Sequence, residues 1–102
     1  MSNDKIIVNI DPDLEDLIPG FLTNRKEDVV KLKSALQENN LDELRSIGHS
    51  LKGVGGGYGF QDITEIGAQI ENCAKSNNIG TIEELINKLV DYLDRVKIVY
   101  QE

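Results

Sequence analysis

The stretch Leu41-Asp42-Glu43-Leu44-Arg45-Ser46-Ile47-Gly48-His49-Ser50-Leu51-Lys52-Gly53-Val54-Gly55-Gly56-Gly57-Tyr58-Gly59 decides how the rest of the chain is read. Leu44, Ile47, Leu51, Val54 and Tyr58 recur at three- and four-residue steps, the period of a helix with one buried face. Gly48 and Gly55 fall in the same stripe. His49 does not. At helical pitch it lies roughly 160° from both Ile47 and Leu51, so it points away from the core. A helix apolar on one side only needs neighbours to cover that side.

The flanking sequence supplies three. Upstream, Asp11-Pro12 reads as a helix start, with Asp as N-cap and Pro at the first helical position. Leu14, Leu17, Ile18, Phe21 and Leu22 follow at helical spacing, and Pro19-Gly20 should kink the segment or split off a short leading turn. Leu22, Arg25, Val29, Leu32 and Leu36 carry the pattern to about Gln37, and Asn39-Asn40 marks the turn. Downstream, a third helix from Phe60 to about Lys75 shows Phe60, Ile63, Ile66, Gly67, Ile70, Cys73 and Ala74 on one face, ending at Ser76-Asn77-Asn78. Thr81-Ile82-Glu83-Glu84 reads as a capping box. The last helix then presents Leu85, Ile86, Leu89, Leu93, Val96 and Tyr100.

Only Ile6 to Ile10 looks strand-like, and it is too short and isolated to build a sheet. It is read as part of an extended N-terminal arm, residues 1–10, packing on the helices. Short connections place successive helices antiparallel. The expected fold is therefore all-α, an antiparallel up-down four-helix bundle, in a single domain spanning residues 1–102.

Composition narrows the function. A chain of 102 residues with 39% hydrophobic and 5% aromatic residues can build one core, and an aliphatic one. One cysteine excludes an internal disulfide framework, and with a single histidine it cannot make a structural zinc site. Cys73 reads as a small core residue. No apolar run approaches the ~20 residues that span a bilayer, and MSNDKIIVNIDPD is too acidic and its apolar stretch too short for a signal peptide. The expectation is a soluble, cytoplasmic protein with no membrane contact. A net charge of -7 argues against nucleic acid as partner. Even so, Arg25, Lys26, Lys31, Lys33, Arg45 and Lys52 supply six of the eleven basic residues, so a local positive face can exist on an acidic molecule. Arg25 itself sits in the apolar register, either as a snorkelling residue at the rim of a site or as an interhelical salt-bridge partner. Tyr58 and Tyr100 read as bundle packing.

The surroundings of His49 set it apart from a plain surface histidine. Residues three, four and seven positions on share its face. These are Lys52, Gly53 and Gly56, with Arg45 one turn before. Each helix-interior glycine costs roughly 0.8–1.0 kcal/mol against alanine. Gly48, Gly53, Gly55, Gly56 and Gly57 together cost on the order of 4 kcal/mol if all are helical, a large share of a small domain's roughly 5–15 kcal/mol. Gly48 and Gly55, on the buried side, would admit close packing of another helix. Gly53 and Gly56, beside His49, would admit another protein's backbone; the plainer alternative is a helix end fraying into a loop. An exposed imidazole with cations and cleared space suits reversible phosphorylation: one nitrogen attacks while the other keeps its proton on an acceptor, and phosphoryl transfer asks mainly for positioning and charge neutralisation. The sequence carries no glycine-rich ATP cradle, Walker lysine or acidic magnesium cluster, so another protein is expected to load His49.

The run His49-Ser50-Leu51-Lys52-Gly53-Val54-Gly55-Gly56-Gly57-Tyr58-Gly59-Phe60 resembles the signature of histidine-containing phosphotransfer (HPt) domains: His, two residues, Lys-Gly, then small residues at spaced positions, here Gly56 and Gly59. The resemblance covers nearly the whole chain and implies the same four-helix bundle. It implies that His49 takes a phosphoryl group on its distal nitrogen from a receiver-domain aspartate and hands it to another, with Lys52 near the phosphoryl oxygens and Gly53 leaving room for the receiver. It also places a Gln or Glu on the next helix against the imidazole's other nitrogen. Glu71 matches that position; the alternative for it is an ordinary exposed helix glutamate. The implied partners are response-regulator receiver domains and a sensor histidine kinase, with Mg²⁺ on the receiver only and no cofactor on this chain.

Two functions follow as alternatives. The first is a phosphocarrier, not an enzyme with its own ATP site, working as a monomer. The second is a non-phosphorylated four-helix module that docks on a kinase or receiver and regulates it.

Overall fold

A computed structural model describes residues 4–100. The order is β1 (Ile6–Ile10), a 3-10 turn (Pro12–Leu17), α1 (Ile18–Gln37), α2 (Leu41–Gly55), a second 3-10 turn (Gly56–Tyr58), α3 (Gln61–Lys75), α4 (Ile79–Arg95) and β2 (Val96–Tyr100). The four helices form the all-α bundle that the sequence implies, with α1 against α2 and α4, and α3 between α2 and α4.

Local chemistry accounts for most of the boundaries. Asp11 caps the leading turn, accepting from Asp13 N–H, and Pro19 lies in the first turn of α1, so of the two outcomes expected at Pro19-Gly20 the chain takes the split-off leading turn. Two Asn-Asn pairs make the next joints in the same way. Asn39 and Asn77 take left-handed backbone with φ of 55° and 59°, a conformation asparagine tolerates past a helix end. Each is followed by an asparagine N-cap: Asn40 accepts from Glu43 N–H, and Asn78 from Thr81 N–H. The capping box expected at Thr81 is thus replaced by a cap at Asn78. Gly80 lies inside α4, and Thr81 is the donor of that cap.

The core is aliphatic, with Leu32, Leu44, Leu51, Ile63, Ile70, Ile82 and Leu89 fully enclosed. Three aromatics gather at one place: Phe21 of α1 stacks on Tyr58 and on Phe60, at centroid distances of 4.5 and 5.0 Å. Arg25 covers the Phe21 ring at 4.7 Å and bonds Asp28 on its own helix at 2.8 Å. The interhelical salt bridge offered as one role for Arg25 is therefore replaced by an intrahelical one. Cys73 is partly buried against the core.

The ends differ from expectation. β1 pairs in parallel with β2, Ile6 opposite Val96 and Ile10 opposite Tyr100. The last helix therefore stops at Arg95. Val96 and Tyr100, assigned above to its buried stripe, belong to a strand, and the arm is one half of a two-stranded sheet. The arm's residues 1–3 and the chain's residues 101–102 lie outside the described residues.

Candidate functional site

The site is made where α2 and α3 run closest. A Cβ added to Gly48 would stand 2.8 Å from Glu71 N and 2.9 Å from Gly67 O; one added to Gly67 would stand 2.5 Å from Lys52 N. No side chain fits between backbones at that distance. Gly48 thus serves the close packing expected of it, as does Gly55, whose added Cβ would meet Thr64 at 2.6 Å. The contacts Gly55–Thr64, Lys52–Gly67 and Gly48–Glu71 step in opposite directions along the two helices, so the pair is antiparallel.

This approach lets side chains of α2 reach Glu71. His49 Nδ1 lies 2.9 Å from Glu71 Oε2, and Lys52 Nζ lies 2.9 Å from Glu71 Oε1. Lys75, one turn along α3, stands 3.8 Å from Oε2. The three donors are open to solvent while the acceptor is not: side-chain exposure is 67% for His49 and 7% for Glu71. Glu71 is the one charged residue buried among the described residues. The Lys52 hydrogen bond is the chief cause holding its carboxyl down at about 2; burial pushes the other way, and the His49 bond and the charges of Lys52 and Lys75 add to the lowering.

That charge state dictates the tautomer. An ionised carboxylate only accepts hydrogen bonds, so the proton between the two groups sits on Nδ1 and is donated to Glu71. In the neutral ring Nε2 then carries the lone pair. The result is an exposed imidazole with its nucleophilic nitrogen outward and its other nitrogen anchored.

The remaining residues singled out in the sequence fall into two sets. Gly53 is exposed and helical, and an added Cβ there would meet nothing within 4 Å. Gly56 is exposed in the turn after α2, where an added Cβ would meet only the Gln61 and Thr64 side-chain oxygens, at 3.4 and 3.5 Å. The triple glycine therefore divides: Gly55 ends α2, and Gly56 and Gly57 form the 3-10 turn that Gly59 closes at φ 94°. Arg45 is exposed on α2, one turn before His49, and no bond ties it to Glu71 or to the imidazole. Two contributors escaped the sequence reading. Lys75 follows Glu71 by four residues, a spacing that places them on one face. Thr64 precedes Glu71 by seven and bonds the end of α2.

Among the described residues no three His, Cys, Asp or Glu side chains gather as a metal site, and no helix is long and apolar enough to cross a membrane. No curated protein and no solved structure matches the chain. A family model described as Hpt domain matches residues 16–98. Because that match runs through all four helices and through His49 with its partners, the chain belongs to the Hpt domain family, phosphocarriers of two-component signalling that exchange phosphoryl groups with kinases and receiver domains.

Proposed function

We propose that this chain is a phosphorelay intermediate that carries a phosphoryl group on His49 Nε2 between the aspartates of response-regulator receivers, or from a sensor histidine kinase to a receiver. The observation that carries the reading is the His49–Glu71 bond. It leaves Nε2 as the free nucleophile on a side chain 67% exposed.

In the loading step the P–O bond of the receiver's aspartyl phosphate breaks and an Nε2–P bond forms, and the aspartate leaves as a carboxylate. Nδ1 keeps its proton, so the ring acquires a positive charge that the Glu71 carboxylate, 2.9 Å away, offsets. Return of the group to a second aspartate reverses each change. Lys52, shared between Glu71 and the space beside the imidazole, neutralises the phosphoryl oxygens in flight. Gly53 and Gly56 present bare backbone to the docking receiver, and Arg45 adds a cation toward its acidic pocket. Magnesium belongs to the receiver. The protein acts as a monomer in the cytoplasm.

Incubation with a radiolabelled phosphorylated receiver tests this. The label should move to the chain, survive alkali and be lost in acid, and His49→Gln should remove it without changing the helical circular dichroism. Label retained by His49→Gln would refute the assignment. Receiver binding with no label on the wild type would instead favour the regulatory docking module.

A further inference from the structure

α2 ends in a joint to which α3 contributes a side chain. The carbonyl of Lys52 and the N–H of Gly56 are four residues apart, the pair that a regular α-helix bonds directly. Here the Thr64 hydroxyl, reaching across from α3, bonds both of them. It donates to the Lys52 carbonyl at 3.1 Å and accepts from Gly56 N–H at 2.6 Å. At this point the chain passes from α-helix into the 3-10 turn over Gly56–Tyr58. Gly55 admits the hydroxyl, since a Cβ there would lie 2.6 Å from both the nitrogen and the hydroxyl oxygen of Thr64.

The residue held this way is Lys52. Its carbonyl is bonded by Thr64, its ammonium by Glu71, and its amide nitrogen backs onto Gly67. Positions 64, 67 and 71 step by three and four along α3, so all three contacts come from one helix face. A lysine is a flexible four-carbon stem carrying a point charge. With backbone and ammonium both fixed to the same rigid helix, that charge has a defined place beside His49.

We propose that Thr64 is a positioning residue for phosphotransfer, acting through Lys52 by tying the last turn of α2 to α3. The proposal rests on the His49 reading above. Without the hydroxyl, the end of α2 loses its tie to α3, and Lys52 shifts along that helix. Displacements of about 1 Å around a reacting centre cost up to ~10²-fold in rate.

The test times transfer from an aspartyl-phosphorylated receiver to the full chain. Wild type is compared with Thr64→Ser, Thr64→Val and Thr64→Ala, each alone and combined with Lys52→Ala. Val and Ala should lower the maximal rate about tenfold, and half-saturation should move less than about twofold. Ser, which restores the hydroxyl, should stay within about twofold of wild type. In the Lys52→Ala background the Thr64 changes should add nothing. If wild type takes up no phosphoryl group, the His49 reading fails. If wild type transfers and Val matches it, or if Val slows the Lys52→Ala protein as much as it slows wild type, the positioning role fails. Should neither Val nor Ala fold, hydrogen exchange at the Gly56 amide of the wild type decides: protection is expected, and exchange at the free-amide rate overturns the proposal.

Discussion

Where α2 meets α3, glycines bring two backbones so close that a Cβ at Gly48 or Gly67 would lie 2.8 or 2.5 Å from the facing helix. Where α4 meets the bundle, the contact is filled by Ile82, Leu85, Ile86, Leu89 and Leu93. The aliphatic wall buries area, and burial at about 25 cal/mol per Å² is what holds such a domain together. The glycines of the seam bury no side chain of their own. They give proximity instead, so that one carboxylate from α3 can serve His49 and Lys52 of α2. Stability and chemistry are drawn from different faces of the same bundle, and the separation can be attacked from either side.

The largest effect belongs to a pair of substitutions read together. Leu89→Ala empties a fully enclosed position and should cost about 2–5 kcal/mol in denaturant unfolding. Transfer per folded molecule, measured well below the melting point, should stay as in wild type. Gly67→Ala forces a methyl against the Lys52 nitrogen and should cost about 1–3 kcal/mol as overpacking, yet it should also slow transfer by spreading the seam. A slow Leu89→Ala, or a Gly67→Ala that transfers normally, would dissolve the distinction.

Acid sharpens it further. The Glu71 carboxyl sits at about 2 in the folded protein against an ordinary 4.5. Over that window the unfolded chain binds the extra proton, so the contribution of Glu71 is complete above about 4.5 and is lost as pH falls toward 2. Glu71→Gln should flatten this part of the melting-temperature profile between pH 2 and pH 5. A mutant profile parallel to wild type would mean that the bridges add nothing to folding.

The smallest effect has the opposite sign. Gly53 is helical, exposed and without neighbours within 4 Å, so Gly53→Ala should stabilise by about 0.4–1 kcal/mol. It should also slow transfer from a receiver, because the methyl enters the docking face. Faster or unchanged transfer would show that the bare backbone at this position has no part in docking.

Much of this was legible in the sequence because helical period is a local signal. The stripe through Leu44, Ile47 and Leu51 announced α2, and the angular offset of His49 announced an exposed imidazole. Glu71 was placed by family register alone; periodicity set it beside Ile70 but could not show it buried against His49. What stayed hidden was non-local or ambiguous. Val96-Lys97-Ile98-Val99-Tyr100 alternates like a strand, but Val96 and Tyr100 also extend the four-residue step of α4, and the strand reading needed a partner about ninety residues away. Asn78 lost to Thr81 as the expected cap because both are good N-cap residues and Gly80 resembled a turn. Thr64 gave no signal, since a hydroxyl that bonds the end of another helix looks in sequence like any half-buried threonine.

The parallel ladder between β1 and β2 also has a mechanical meaning. Ile6 and Tyr100 sit at opposite ends of it, so tension applied through those two residues drags the strands lengthwise past each other. All the rungs then share the load in shear, whereas an antiparallel hairpin pulled from its open end would unzip one rung at a time. The four helices lie between the strands along the chain, and until the ladder gives way a stretching force has no purchase on the seam that holds His49.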